Sequence, residues 1–174
     1  NATIGSGTAL FGGETDTLTG IENIEGGFDA DTLTGDAGRN MLHGLGGNDT
    51  LIGGDGADFL EGGEGSDVFK YSAGDSDIGL GVRDQVHGFN TFTGGTADAD
   101  KFDLSGFVTT ASGTLNFVGD ETNAFTGEAS ARFNASTKVL EIDTDNDQAA
   151  DMEIELTNVS GTLSDDDFIV GGGA

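Results

Sequence analysis

The chain of 174 residues contains no cysteine, no proline and no tryptophan. Without cysteine, disulfide frameworks and metal–thiolate sites are excluded, and without proline no prolyl isomerisation slows folding. No apolar run approaches the length that spans a bilayer. Residues 1–13 lack the charged and apolar segments of a signal peptide. If the protein is exported, we expect its signal elsewhere in the chain.

Basic residues are scarce: 6 Lys and Arg stand against 32 Asp and Glu, a formal net charge of −26. This charge argues against binding to nucleic acid and to anionic membranes by direct attraction. Leu, Ile, Val and Phe only just exceed about one-fifth of the residues, the level below which a highly charged chain is expected to be disordered. We therefore expect the chain, at least in its repeats, to be unfolded until bound cations neutralise it.

The usual catalytic motifs are also missing. The two histidines, His43 and His87, are not part of an H-E-x-x-H motif, which excludes that zinc protease chemistry. Neither G-x-S-x-G nor a phosphate-binding G-x-x-x-x-G-K-[ST] occurs. We therefore expect both histidines to be structural and the chain not to be an enzyme.

Glycine, in contrast, is abundant, with 32 residues. Between Gly26 and Lys70 the sequence repeats every nine residues, and the blocks that start at Gly53 and Gly62 match G-G-x-G-x-D-x-U-x at every position, where U is a large apolar residue. The eighth positions of the five blocks are Leu33, Leu42, Leu51, Leu60 and Phe69. Simple turns explain glycine and aspartate, but not this fixed phase of apolar residues.

The positions within the repeat predict a structure and a ligand. Glycine at positions one, two and four permits a tight six-residue turn, in which carbonyl groups point into the loop. Position six supplies a further oxygen, and position eight lies on a short strand that faces inward. Two repeats complete one coil. This predicts that Asp31, Asp49 and Asp67 align on one side and that Asn40 and Asp58 align on the other.

Stacked coils lie roughly 4.8 Å apart, so aligned carboxylates repel each other by about 3 kcal/mol per pair at an effective dielectric constant of 20. A cation between them relieves this repulsion. Calcium accepts six to eight oxygens in a flexible geometry, whereas magnesium requires an octahedron and retains its waters. The sequence therefore predicts several bound calcium ions.

After Ser72 the period disappears, and short apolar segments alternate with turn residues. The strands predicted there are Gln85–Phe89, Lys101–Ser105, Thr114–Val118, Ala129–Phe133, Lys138–Ile142 and Met152–Leu156. Ser164–Phe168 is predicted to cap one short turn. We expect three regions: a degenerate entry coil at 1–25 with a weak repeat at Gly12–Leu18 that Gly20–Ile24 continues, a regular roll at 26–71, and an all-β cap at 72–174.

Three motifs carry a resemblance to a known family. Gly62–Tyr71, Asp84–Phe89 and Asp100–Ser105 resemble the "D-x-F-x-Y", "D-x-I-x-D-F" and "D-K-I-D-L-S" motifs in the RTX C-terminal domain of the serralysin family. The resemblance implies a right-handed parallel β-roll that binds calcium, a β-sandwich-like cap and a type I secretion signal near 163–174. Asp29 departs from the pattern at a glycine position and Asn40 at an aspartate position, as does the His87–Gly88 pair.

Carried onto this sequence, the resemblance places calcium between adjacent coils, with Asp84 as a candidate that closes the last site. The implied ligands are Gly27, Asp29, Asp31, Asp36, Gly38, Asn40, Gly44, Gly46, Gly47, Asp49, Gly53, Gly54, Asp55, Gly56, Asp58, Gly62, Glu64, Asp67 and Asp84.

A second acidic cluster comprises Asp143, Asp145, Asp147 and Asp151 between two predicted strands. It resembles the start of an EF-hand loop. However, Gln148 stands where glycine would form the sharp turn, and no glutamate closes the site. The cluster is either an additional metal site or a solvated hairpin loop.

Together these features predict a non-catalytic calcium-binding module that folds on extracellular calcium. It would support the type I secretion and folding of a larger bacterial exoprotein, an adhesin or a secreted hydrolase. Its expected partners are calcium, the type I secretion machinery and the rest of the parent chain, at the cell surface or outside the cell. The alternative is a carbohydrate-binding module such as those of alginate epimerases. In that case Lys70, Tyr71 and Arg83 should line one exposed face that binds extracellular polysaccharide.

Overall fold

The computed structural model describes residues 6–11, 14–19, 22–79, 81–91, 98–106, 109–110, 116–120, 129–145 and 147–172. Within these residues the chain forms seventeen short strands and one 3₁₀ helix. The strands are β1 (Ser6–Phe11), β2 (Glu14–Thr19), β3 (Asn23–Glu25), β4 (Thr32–Thr34), β5 (Met41–Gly46), β6 (Thr50–Ile52), β7 (Phe59–Glu64), β8 (Val68–Lys70), β9 (Asp84–His87), β10 (Lys101–Asp103), β11 (Thr109–Thr110), β12 (Asn116–Asp120), β13 (Ser130–Asn134), β14 (Val139–Asp143), β15 (Met152–Thr157), β16 (Phe168–Ile169) and β17 (Gly171–Gly172).

Successive strands from β3 to β10 alternate between two sheets. The first sheet has the order β2-β1-β4-β6-β8-β10-β16, and the second has the order β3-β5-β7-β9-β15-β14-β13-β12. Leu33 pairs with Leu51 and Leu42 pairs with Leu60, both in parallel register. Two nine-residue repeats therefore complete one coil, and the predicted parallel β-roll is confirmed.

The core of the roll consists of two columns of inward-facing side chains. Each apolar residue at position eight of the five regular repeats is fully buried, as predicted. The residues on either side of it in the three-residue strands β4, β6 and β8 are only partly buried. Full burial of one such side chain contributes roughly 1.5–3 kcal/mol, so the columns hold the two sheets together.

The stacking continues past the last regular repeat. Val86 of β9 lies against Leu60 in parallel register, and Phe102 of β10 lies against Phe69. Beyond them, Leu156 pairs with Val86 and Phe168 pairs with Phe102. The repeat disappears from the sequence because the connections become longer, although the strands still pair in parallel. The division of the chain near residue 71 into a roll and a cap stays a prediction.

An aromatic cluster fills the end of the roll. The rings of Phe89 and Phe102 stack with centroids 4.4 Å apart, and Phe102 also lies next to Phe69, Tyr71 and Phe168. Phe102 thus joins the last regular coil to the C-terminal strands.

The C-terminal strands extend the second sheet. β13, β14 and β15 pair antiparallel, whereas β12 pairs parallel to β13. A 3₁₀ helix at Asp165–Asp167 begins with a capping box between Ser164 and Asp167, so the predicted short turn is present. β11 and β17 form a separate parallel pair.

At the N-terminal edge, β1 and β2 form an antiparallel hairpin, and β1 pairs antiparallel to β4 through Ala9 and Leu33. Some predicted features lie partly outside the described residues. These positions are Gly12 and Gly13 of the weak repeat, Gly20 and Ile21 after it, Thr114 and Leu115 of one predicted strand, and Gly173 and Ala174 of the predicted secretion signal.

Candidate metal sites in the stacked loops

The first glycine of each regular repeat is required by the aspartate at position six. A Cβ atom added to Gly44, Gly53 or Gly62 would overlap the carboxylate of the aspartate five residues later. Other loop glycines, including Gly54 and Gly65, have positive φ angles of 89° and 126°. An L-amino acid is disfavoured in that conformation. The glycines therefore leave the space that each carboxylate occupies over its own loop.

On one side of the roll the carboxylates form a hydrogen-bonded ladder. The backbone N–H of Asp31 donates to Oδ1 of Asp49 at 2.8 Å, and that of Asp49 donates to Oδ1 of Asp67 at 2.9 Å. The N–H of Asp67 then donates to Oδ1 of Asp100 at 2.9 Å. Each carboxylate is thereby held between its own loop and the preceding one.

The opposite side carries an equivalent ladder. The N–H of Asn40 donates to Oδ1 of Asp58 at 2.7 Å, and that of Asp58 donates to Oδ1 of Asp84 at 2.8 Å. The structure thus places Asp84 at the end of this ladder, next to Asp58, where the sequence suggested a closing residue.

Sequence reasoning missed Asp100 as a member of the first ladder. A signal for it exists, because Asp100-Lys-Phe102 has the same aspartate-x-apolar spacing as Asp67-Val-Phe69. In both segments the aspartate precedes a strand whose central residue joins the core column. The triplet, rather than the whole nonapeptide, marks the ladder positions outside the regular repeats.

Four of these carboxylates have a buried oxygen without a partner. The Oδ2 atoms of Asp49, Asp58, Asp67 and Asp84 have no hydrogen-bond donor among the described residues. A buried polar atom left unpaired costs roughly 1–3 kcal/mol, and more if it is charged. Stacked anionic oxygens that accept no hydrogen bond fit a hard cation that prefers oxygen ligands, such as calcium.

Burial raises the pKa of these carboxyl groups. The pKa of Asp49 and of Asp58 rises from 3.8 to about 6, that of Asp100 to about 7 and that of Asp84 to about 8. Loss of hydration is the main cause in each case, and neighbouring carboxylates add to it. The folded roll therefore disfavours its own ionised ladders when no cation is bound.

The surroundings of Asp84 explain why its pKa is the highest of the four. Burial raises the pKa of Asp84 most, and Asp58 and Asp75 raise it further by charge repulsion. The nearby buried hydroxyl of Tyr71 lowers it without forming a hydrogen bond of standard geometry. Ser76 Oγ accepts from the Asp84 N–H at 2.9 Å and donates to the carbonyl of Glu153 at 2.6 Å. The segment before β9 is thus fixed to β15.

In the first coil, two side chains that are predicted to bind calcium already accept hydrogen bonds from their own loops. Asp31 Oδ2 accepts from the Gly27 N–H at 2.7 Å, and Asn40 Oδ1 accepts from the Asp36 N–H at 2.8 Å. Asp29 is exposed. These side chains stabilise their own loops, in contrast to the unpaired oxygens of the later coils. The other predicted ligands lie in the same stacked loops: Gly38, Gly44, Gly46, Gly47, Gly53, Gly54, Asp55, Gly56, Gly62 and Glu64.

The structure also brings together most of the second acidic cluster. Asp143, Asp145 and Asp151 each place one carboxylate oxygen within 4.8 Å of the others, and Asp147 is not part of that group. The carboxylates accept hydrogen bonds within the loop, for example from the Thr144 N–H to Asp151 Oδ2 at 2.7 Å. Metal binding by this loop stays a prediction.

The three residues expected on a sugar-binding face do not form one. Tyr71 is buried in the core. Lys70 pairs with Asp103 at 3.5 Å, and Arg83 pairs with Glu153 at 2.5 Å. The Tyr71 ring thus packs in the core, and the Arg83 guanidinium group forms an ion pair within the fold.

Comparison with known proteins agrees with this geometry. The sequence matches the family described as RTX calcium-binding nonapeptide repeat (4 copies) over residues 12–51, 35–69 and 43–78. No curated protein sequence matches the chain. In the described part, no helix is long and apolar enough to cross a membrane.

Two solved structures share the fold. The AlgE6R3 subunit of the mannuronan C5-epimerase from Azotobacter vinelandii is 24% identical over 84% of this chain and 76% of its own, with a TM-score of 0.56. The AlgE6R2 subunit of the same enzyme is 24% identical over 81% of this chain and 82% of its own, with a TM-score of 0.52. The chain therefore carries RTX calcium-binding nonapeptide repeats within residues 12–78, and strands β3 to β8 of this segment form a parallel β-roll.

Proposed function

We propose that this chain is a non-catalytic module whose roll folds when calcium ions bind between its stacked loops. The observation that carries the proposal is that, in the described part of the chain, four buried carboxylate oxygens accept no hydrogen bond, one each on Asp49, Asp58, Asp67 and Asp84. Calcium would supply the positive charge that these oxygens lack. We expect four ions, one for each unpaired oxygen.

The ladders account for the coupling between binding and folding. Each ladder hydrogen bond joins residues at least 18 positions apart, so the carboxylates are stacked only when the coils are stacked. In the unfolded chain they are dispersed and hydrated, and calcium binds them weakly. Binding energy that the ions gain only in the folded state therefore stabilises that state.

We further propose that the module belongs to a larger bacterial protein exported by type I secretion. In a compartment with little calcium, the net charge of −26 keeps the chain extended and able to pass through a channel. Outside the cell, calcium fills the loops and the folded roll cannot return. The resemblance to the serralysin C-terminal domain supports this proposal, with the secretion signal near residues 163–174 and an adhesin or a secreted hydrolase as the parent.

The lack of catalysis is part of the same proposal. His43 faces Glu61 at 3.9 Å. His87 is held through its ring nitrogens by Thr157 at 2.9 Å and Asn158 at 3.0 Å. Both histidines thus have structural contacts, and the buried carboxylates already serve the ladders.

Circular dichroism during a calcium titration tests the folding switch. We expect β structure to appear with calcium and to disappear with a chelator. Asp49→Asn and Asp58→Asn should each raise the calcium midpoint, whereas Asp77→Asn, an exposed control, should not change it. A chain folded to the same extent with and without calcium would refute the switch, and equal midpoints for all four proteins would refute the ligands.

Calcium stoichiometry tests the number of sites and the role of the acidic hairpin. Native mass spectrometry should detect four ions in the wild-type chain and three in Asp58→Asn. A fifth ion that disappears in the double variant Asp145→Asn, Asp151→Asn would assign a site to the hairpin. A count that this variant leaves unchanged would assign those carboxylates to the hydrogen bonds of the turn.

A further inference from the structure

The two sheets of the roll do not end together. The first sheet ends at β16, next to β10, whereas the second continues past β15 through β14, β13 and β12. Among the described residues, the first sheet therefore has no strand that continues opposite these added strands. Phe117 and Phe133 on this extension, and Val159 after β15, pack against the core but are only partly buried.

A cavity of about 680 Å³ lies at this place. Phe117, Phe133, Leu156, Val159 and Leu163 form its apolar walls. Thr157, Asn158 and Thr162 add a few polar groups. A cavity of this size, mostly apolar with few polar groups, is typical of sites for small organic molecules.

A lysine lies at the wall of this cavity. Lys138 ends the tight turn between β13 and β14 with a positive φ of 64°. In the described part of the chain it has no carboxylate within ion-pair distance, whereas Lys70, Arg83 and Arg132 are each paired with one. Lys138 thus offers an ammonium group without a carboxylate partner at the wall of the cavity, as far as the described residues show.

We propose that this cavity binds a small amphipathic molecule with an apolar body and a single anionic head group. The body would occupy the space between Phe117, Phe133 and Val159, and the head group would pair with the Lys138 ammonium. The Lys138 charge determines which ligands we expect. Most of the acidic protein surface repels anions, whereas the Lys138 ammonium attracts them at this cavity. None of these residues belongs to the carboxylate ladders, so this site is separate from the proposed calcium sites.

The probe for this site is 1-anilinonaphthalene-8-sulfonate, which combines an aromatic body with one sulfonate. N-phenyl-1-naphthylamine has the same body without the charge and serves as the neutral control. Both are titrated by fluorescence into the full chain at saturating calcium, after circular dichroism shows that each variant is folded. We expect a single site for the sulfonate probe.

Three variants separate the roles of charge and shape. Lys138→Gln should weaken the sulfonate probe by about two- to fivefold, the range of an exposed ion pair, and leave the neutral probe unchanged. Lys101→Gln removes an exposed lysine that binds the carbonyl of Asp166 instead, and should change neither. Val159→Trp places a bulky ring in the space proposed for the apolar body and should weaken the binding of both probes.

Other results would overturn the proposal. Failure of both probes to bind the folded chain means that the cavity does not accept small ligands. Unchanged affinity of both probes in Val159→Trp places them elsewhere, and equal losses in Lys138→Gln and Lys101→Gln remove the role of the head group. A dimer that dissociates in Val159→Trp would assign the cavity to a second copy of this chain. If the proposed calcium switch fails, the probe experiment still decides this point, because it requires only folded protein.

Discussion

The backbone N–H of Asp58 donates to Oδ1 of Asp84 at 2.8 Å, although the two residues are 26 positions apart. Within the regular repeats the same bond joins residues 18 positions apart, as between Asn40 and Asp58. The ladder thus keeps its geometry when the chain loses its period. This hydrogen bond places the buried Asp84 carboxylate at the boundary between the repeats and the C-terminal strands. A substitution of Asp84 therefore tests both regions.

Asp84→Asn should weaken calcium binding without weakening the apo fold. The amide keeps the acceptor for the Asp58 N–H but removes the charge, so we expect at least about tenfold lower affinity at the last site of this ladder. Without calcium, the neutral side chain is no harder to bury than an aspartate whose pKa is about 8. Isothermal titration calorimetry gives the affinity. Circular dichroism of the calcium-free chains near pH 5.5, where protonation favours the folded state, compares their apo folds. An unchanged affinity would remove Asp84 from the site.

In calcium-free buffer, stability should increase as the pH falls from 8. The native pKa values of Asp84, Asp100 and Asp58 are about 8, 7 and 6, all above the 3.8 of an unperturbed aspartate. The native state therefore binds more protons than the unfolded state. The stability that these carboxyl groups contribute is fully present below their unfolded-state pKa and is lost as the pH rises through their native pKa values. Circular dichroism should show more structure near pH 5.5 than at pH 8. The free energy of unfolding should differ between these two pH values by up to several kcal/mol.

With calcium bound, the direction should reverse, because the ions hold the carboxylates deprotonated and protons compete with them. Asp84→Asn provides the control. It should remove the upper part of the apo pH dependence, near pH 8, and leave the part between pH 6 and 7 that belongs to Asp49, Asp58 and Asp100. An apo chain that loses structure steadily between pH 8 and about 5.5 would contradict the ladder assignment.

Leu45 occupies position two of its repeat with a φ of 80°, where the next two repeats have Gly54 and Gly63 with φ angles of 89° and 106°. Leu45→Gly should relieve this strain and stabilise the calcium-bound roll by about 1 kcal/mol. The opposite change, Gly54→Ala, should destabilise it by about 1–3 kcal/mol, because the new Cβ would overlap the Asp36 carbonyl. Thermal unfolding at saturating calcium measures both effects.

Gly74→Ala is the matched control for this pair. Gly74 also has a positive φ, 91°, but an added Cβ meets no atom within 4 Å. Gly74→Ala should therefore cost only the free energy of holding alanine at a positive φ, about 1 kcal/mol. If Gly54→Ala costs no more than Gly74→Ala, the close approach of neighbouring loops is not what requires glycine.

Phe102→Ala should unfold much of the C-terminal half. The ring is fully buried and stacks on Phe89 at 4.4 Å, so its removal should cost about 3–5 kcal/mol. Phe28→Ala is the contrast, because Phe28 is 90% exposed and should change stability by less than about 0.5 kcal/mol. Urea unfolding with calcium compares the two variants, and similar losses would contradict the packing described for the roll.

The repeats were predictable because each one carries its own local information. The glycines determine the turn, and the alternation around residues such as Leu51 determines which side chain faces inward. The position-six residues then align because every coil has the same length. The strands after residue 72 were also predictable from their alternation, and β14 and β15 lie close to their predicted bounds. Asp100 was missed because its spacing from Asp67 is 33 residues.

By itself, the sequence determined the parallel roll, the two core columns and the aspartates within the regular repeats, since a nine-residue pattern acts over short distances. Only the tertiary structure decided that Asp84 and Asp100 complete the two ladders and that Tyr71 is buried, because parallel strands pair by hydrogen-bond register and not by chain spacing. The cavity beside Lys138 also depends on the tertiary structure. Its walls come from β12, β13, β15 and the segment after β15, and no local pattern encodes how these parts of the chain come together.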